Sequence, residues 1–195
     1  MSPEHFDRLV AIKLHGTFNG IRTIGPGMRE RGEGHIVNTA SMAGLIASAR
    51  LGEYTASKFA VVGLSEVLRA EMEAYGVGVS VLCPGLVRTN LGSHRSDSVG
   101  RTDGAGRSGT AESSGGPAGG QTPGGPSGLE GGIDPALVGD QVVDAIRNNH
   151  LYVITHGEYG GVVAERAARL HRAFEAAPRR AAHSDGLPGT DFAKT

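Results

Sequence analysis

Over the first two dozen residues apolar side chains recur three and four positions apart, at Phe6, Leu9, Val10, Leu14, Phe18 and Ile21. That spacing keeps them on one side of an α-helix. Ser2 followed by Pro3 suits an N-cap and a first helical position. The helix is expected over residues 4–24, ended or kinked at Gly25-Pro26-Gly27, with MRERGEG as a candidate last turn. The pattern then changes to HIVNTAS, a short β-branched run that predicts a strand from about His35 to Ala40. A loop of small residues follows from Met42 to Gly52. Helical spacing resumes from about Glu53 to Tyr75, with Tyr54, Lys58, Val61, Leu64, Leu68 and Met72 near one face, and Gly76-Val77-Gly78 closes it. VSVLCPG reads as a second buried strand stopped by Pro84-Gly85.

From Gly92 to Gly132 the chain is dominated by Gly, Ser, Pro and Thr, with almost no large apolar residue before Leu129. Such a segment cannot bury enough surface to offset its ordering entropy, so a disordered insert is expected. Asp134-Pro135 then reads as an N-cap and N1 pair opening a helix to about Asn149. LYVITH gives a third strand, and a last helix is expected from Tyr159 to Ala176, with a loose tail after Pro178.

Strands alternating with helices predict an α/β fold with a parallel sheet and right-handed crossovers. Residues 1–91 and 133–177 are expected to build one domain around the insert 92–132, with 178–195 as the tail. Sites in open α/β sheets lie at the carboxyl ends of strands, where Ser41 and Pro84 fall. Composition narrows the function. A formal net charge of −1 and no basic cluster argue against nucleic acid. No apolar run is long enough to span a membrane. MSPEHFDRLV lacks the basic and apolar regions of a signal peptide. Cys83 is the single cysteine, which excludes an intrachain disulfide and makes a cytoplasmic location the default expectation.

The candidate chemistry lies in the second helix. Tyr54 stands four residues before Lys58, so both side chains share a face. An ammonium there favours the phenolate form of the tyrosine. Such a phenol exchanges a proton with a carbonyl or an alcohol. The Ser41 hydroxyl, at the preceding strand end, can hydrogen-bond the same oxygen. This is a proton-transfer site for carbonyl and alcohol chemistry, and it predicts a hydride cofactor nearby. Other residues read more plainly. His35 and His156 are strand-end residues, His15 faces solvent, and Cys83 is a small buried hydrophobe.

Ser41, Tyr54 and Lys58, in the spacing Ser-x12-Tyr-x3-Lys, resemble the short-chain dehydrogenase/reductase family. The flanks VNTAS, YTASKFAVVGLSE and CPGLVRTNL agree. The resemblance is strong over residues 5–91 and weaker over 133–175. It implies a truncated Rossmann-like parallel sheet flanked by helices. By the same resemblance Tyr54 is the general acid/base, Lys58 supports it and binds the nicotinamide ribose, and Ser41 holds the substrate oxygen. Pro84, Gly85, Val87 and Thr89 contact the nicotinamide, Val87 by main chain and Thr89 through the carboxamide. The implied cofactor is NAD or NADP, and the implied partner is a small alcohol or carbonyl substrate. A homodimer or homotetramer through helices 4–24 and 53–75 is also implied.

Two departures bear on these expectations. The family's Gly-rich strand-turn-helix for the pyrophosphate has no counterpart here, and GPGMRERG stands between a helix and a strand, the wrong context for one. The strand 35–40 is therefore expected to present an open edge. Secondly, KLHGTF places Lys13 where the family often has an Asn that anchors a proton relay. The alternative to an active oxidoreductase is a truncated non-catalytic fragment or an interaction module.

Overall fold

The computed structural model describes residues 2–89 and 132–178. The chain divides into two compact units, Met1–Gly157 and Glu158–Thr195.

The first unit opens with α1 (Pro3–Val10), where Ser2 Oγ accepts the His5 N–H at 3.3 Å and Pro3 takes an early helical position. A π-helical turn, Ala11–His15, joins it to α2 (Gly16–Arg31). The helix therefore does not end near residue 24. It runs through Gly25-Pro26-Gly27 and stops at Gly32, whose φ of 71° is the left-handed cap geometry. Proline removes one intrahelical hydrogen bond. Pro26 and Arg22, whose carbonyl loses that bond, are both exposed, so water can take the partner's place. Ile21 and Gly25 of the same helix are buried and keep it seated. Phe6 and Phe18 stay 36% and 48% exposed, so part of the apolar stripe read in the sequence faces outward.

β1 (Gly34–Thr39) leads through a 3-10 turn, Met42–Gly44, to α3 (Gly52–Glu73) and then β2 (Val77–Cys83). α4 (Pro135–Asn148) follows, with Asp134 Oδ1 accepting the Ala136 N–H at 2.9 Å as the N-cap. Its C-cap, Asn149, is left-handed, and β3 (Tyr152–Ile154) completes a three-stranded parallel sheet in the order β1-β2-β3. This is the expected Rossmann-like sheet flanked by helices. The insert 92–132 lies outside the described residues except for Gly132. Val87 and Ile133 bridge on either side of it.

β2 is covered on both faces, as a central parallel strand should be. Two clusters form the core: Ile21, Ile36, Leu68, Met72, Val77 and Val79, and then Ala40, Met42, Val61, Val62, Val81 and Cys83. A polar seam around the buried Ser80 locks the register. His35 Nε2 meets Ser80 Oγ at 2.8 Å, and Ser80 Oγ donates to the His150 carbonyl. Arg69 donates to the Val79 carbonyl at 3.1 Å and to Asn149 Oδ1 at 2.8 Å. His35 pairs with Gly78 across the strands, and a Cβ at Gly78 would collide with its ring. In the second unit, α5 (Gly160–Ala176) is the described helix.

Candidate active site

The ladder between β1 and β2 runs on past both strand ends and sets the site. Ala40 N–H donates to the Leu82 carbonyl at 2.7 Å, and Met42 N–H donates to the Pro84 carbonyl at 2.9 Å. Ser41 lies between these two bonds in extended backbone. It caps the 3-10 turn, with its Oγ accepting the Ala43 N–H at 3.2 Å. Gly44 lets that turn press against α3, since a Cβ there would stand 2.8 Å from the Lys58 carbonyl oxygen. The absence of a side chain at residue 44 thus brings the Ser41 segment to the helix that carries Tyr54 and Lys58.

Tyr54 is half-buried on the first turn of α3 and Lys58 is buried one turn later. Lys58 Nζ donates to the Thr39 carbonyl, the last of β1, at 3.0 Å, and stands 5.8 Å from the centre of the Tyr54 ring. The helix thereby anchors its cation on the strand that delivers Ser41. Burial pulls the Lys58 ammonium down from 10.5 to about 8, and the like charge of Lys13 adds to the effect. Lys13 belongs to the π-helical turn, and both lysines line a groove of about 560 Å³ along β1 with Thr17, Asn38 and Thr39. Cys83 sits beneath the site. Burial pushes its thiol up to about 11, against the opposing influence of the Ser41 backbone N–H and Lys58.

Pro84 and Gly85 lie at the carboxyl end of β2, and Val87 and Thr89 follow on the segment that bridges to Ile133. Arg88 pins that segment to Asp134 at 2.7 Å on the surface. The structure thus joins Ser41 to Pro84 through Met42 and joins Lys58 to Thr39. The sequence pattern marks His156 only as a strand-end residue and gives Thr155 no role. His156 is buried, and Thr155 Oγ1 accepts the Gly85 N–H at 3.0 Å. Their signal in the sequence is their place after β3, opposite Pro84 in the register that pairs Cys83 with Ile154.

Residues 1–99 match the family model described as short chain dehydrogenase. The chain belongs to the short-chain dehydrogenase family. Over 89 residues it is 46% identical to "Probable oxidoreductase EphD" of Mycobacterium tuberculosis, a match covering 45% of this chain and 15% of that protein. It is 45% identical over 92 residues to D-threitol dehydrogenase of Mycolicibacterium smegmatis, covering 47% of this chain and 35% of the relative. Among solved structures, the apo form of LigO from Sphingobium sp. strain SYK-6 superposes with a TM-score of 0.64 at 30% identity, over 89% of this chain and 53% of that one. The short-chain dehydrogenase/reductase from Burkholderia phymatum, solved in complex with NAD, gives a TM-score of 0.68 at 24% identity over 93% and 63%, a likeness of fold. The matches therefore span only part of each relative's length. Among the described residues no helix is long and apolar enough to cross a membrane, and no group of three or more His, Cys, Asp or Glu could hold a metal ion.

Proposed function

We propose that this member of the short-chain dehydrogenase family is an NAD(P)-dependent oxidoreductase that interconverts a small alcohol and its ketone or aldehyde. The observation that carries the reading is the Tyr54–Lys58 pair, anchored on Thr39 at the strand end that delivers Ser41. Family membership and the relatives named dehydrogenases support the oxidoreductase class.

The residues present fit the nicotinamide–ribose end of the cofactor. A lysine ammonium has three N–H donors. Among the described residues Lys58 gives one hydrogen bond, to Thr39, and it borders an open groove, so donors remain for a ribose hydroxyl. Pro84, Gly85, Val87 and Thr89 would hold the nicotinamide ring and its carboxamide. When bound, the dinucleotide supplies or takes up the hydride. The chain's own residues handle the substrate oxygen. Ser41 Oγ–H donates to it and fixes its position. The Tyr54 phenol gives its proton to that oxygen in reduction and recovers it in oxidation. Lys58, while charged, favours the phenolate that this exchange leaves behind.

A second reading, a non-catalytic interaction module, is favoured by the outer edge of β1, which has no partner strand among the described residues and lies along the 560 Å³ groove. One experiment separates the two. The full chain, shown to be folded by circular dichroism, is titrated with NADH and with NADPH while nicotinamide fluorescence is followed. Saturable binding, with turnover that falls at least about 100-fold in Tyr54→Phe, is expected of the enzyme. No binding at millimolar cofactor would replace the enzymatic reading with the module, and undiminished turnover in Tyr54→Phe would remove the assigned mechanism.

A further inference from the structure

A hydrogen-bonded strap crosses the carboxyl ends of all three strands. It starts beside Ser41, where Met42 N–H donates to the Pro84 carbonyl at 2.9 Å. It crosses one peptide unit to Gly85, whose N–H donates to Thr155 Oγ1 at 3.0 Å. It ends where Thr155 Oγ1 meets His156 Nδ1 at 2.6 Å. The turn is also fixed by contact. A Cβ on Gly85 would stand 2.6 Å from His156 Nδ1 and 2.7 Å from Cγ, so the imidazole lies directly against the glycine. His156 is 9% exposed, which makes it a buried polar wall and not a surface side chain.

We infer that Thr155 and His156 are positioning residues for the hydride-transfer site. They set the height of the Pro84-Gly85 turn above the sheet and, through the Pro84 carbonyl, the placing of the Ser41 segment. The inference rests on the oxidoreductase reading for its catalytic consequence, while its geometric content stands without it. The physical reasoning is short. The pairing of β2 with β3 ends at Cys83 and Ile154, and the first N–H of the turn is taken by a side chain from the β3 end. Oγ1 is held from two sides, by Gly85 and by the imidazole, so the hydroxyl cannot swing away. A two-residue device on β3 therefore constrains the wall against which a planar ring would lie. Displacing a reacting group by about 1 Å costs on the order of 100-fold in rate.

The test compares Thr155→Val, which keeps the shape and loses the hydroxyl, with Thr155→Ser, which restores the hydroxyl. His156→Leu and His156→Asn form a parallel pair, because Asn can place a polar atom near the position of Nδ1. Two readouts are taken on the full chain. The first is amide hydrogen exchange at Gly85 and Met42 by NMR, which needs no activity. Thr155→Val is expected to speed Gly85 exchange by about fivefold or more, the worth of one net hydrogen bond, and to shift the Met42 amide resonance. Thr155→Ser is expected to reverse both changes. The second is the split between kcat and KM. Thr155→Val is expected to lower kcat by about 10- to 100-fold while substrate KM changes little, with rescue in Thr155→Ser. Unchanged Gly85 and Met42 amides in Thr155→Val would overturn the strap. Altered amides with unchanged kcat would overturn its role in positioning. A wild-type chain that neither binds dinucleotide nor turns over would overturn the oxidoreductase reading, and the amide pair would then decide the strap alone.

Discussion

Replacing Lys58 by methionine is expected to leave the protein at least as stable at neutral pH while removing any turnover of the proposed kind. Lys58 is 7% exposed, and its charged form is disfavoured by burial and by Lys13. The distance between 10.5 and about 8 corresponds to a penalty of roughly 3 kcal/mol on holding the ammonium in the folded state. Against this stands the hydrogen bond to Thr39, whose loss costs about 1.5–3 kcal/mol for a charged donor. Methionine keeps a long apolar stem and needs no partner. The balance places Lys58→Met between neutral and about 2 kcal/mol more stable at pH 7.

The pH dependence gives the sharper check, and its sign follows from linkage. The folded-state value lies below the unfolded one. Between about 8 and 10.5 the unfolded chain holds more protons, so stability rises with pH through that window. Below it both states are protonated and the penalty is complete. Urea unfolding of wild type at pH 7 and pH 9.5 should therefore show a gain of roughly 2 kcal/mol that Lys58→Met does not share. Parallel pH dependences in the two proteins, or a loss above about 1 kcal/mol in Lys58→Met at pH 7, would refute the claim of a strained buried ammonium.

Three further outcomes are expected. Lys13→Asn removes a like charge from Lys58, so NMR titration of the Lys58 Cε signal should show its midpoint raised, and the alkaline limb of any pH–rate profile should move upward with it. Burial, assisted by Arg69, holds the His35 imidazole below its ordinary 6.5, so stability should fall as pH drops below that value. His35→Gln should flatten this acid limb in urea unfolding at pH 7 and pH 5. Cys83 is fully buried with its thiol pushed up to about 11, so a thiol reagent should modify it at least about 1000-fold more slowly in the native chain than in urea.

What the sequence made legible was local. Ser2-Pro3 and Asp134-Pro135 announced two helix starts because the cap and its first turn lie within three residues of each other. The strands showed through their β-branched runs, and the Tyr54–Lys58 pair through helical geometry alone. The helix through Pro26 was not legible. Whether a proline ends a helix depends on whether the freed carbonyl meets water or protein, which is a fact of tertiary placement. Nor was the partner of Lys58, because a hydrogen bond from residue 58 to the carbonyl of residue 39 needs α3 laid across the end of β1. Thr155 and His156 stayed hidden for the same reason. Their partner is Gly85, seventy positions away from Thr155, and only strand order makes them neighbours.

The polar groups buried in this sheet fall into two kinds, and the contrast bears on function. The buried Ser80 hydroxyl meets His35 and the His150 carbonyl, and the buried Asn38 amide donates to the buried Ser65 hydroxyl, so these groups have partners in the protein that join strand to strand end and strand to helix. Such a seam specifies register and is explained by folding alone. Lys58 is different. It is buried with one acceptor among the described residues, beside a second cation, at the edge of an open groove. A fold selected for stability alone would place an apolar side chain there. Departures from local consistency that lack a structural gain are what a functional site looks like. The strain on Lys58 therefore supports a binding role for its ammonium more directly than the Tyr-x3-Lys spacing does, because spacing can persist in an inert chain while a buried, underpaired charge acts against stability.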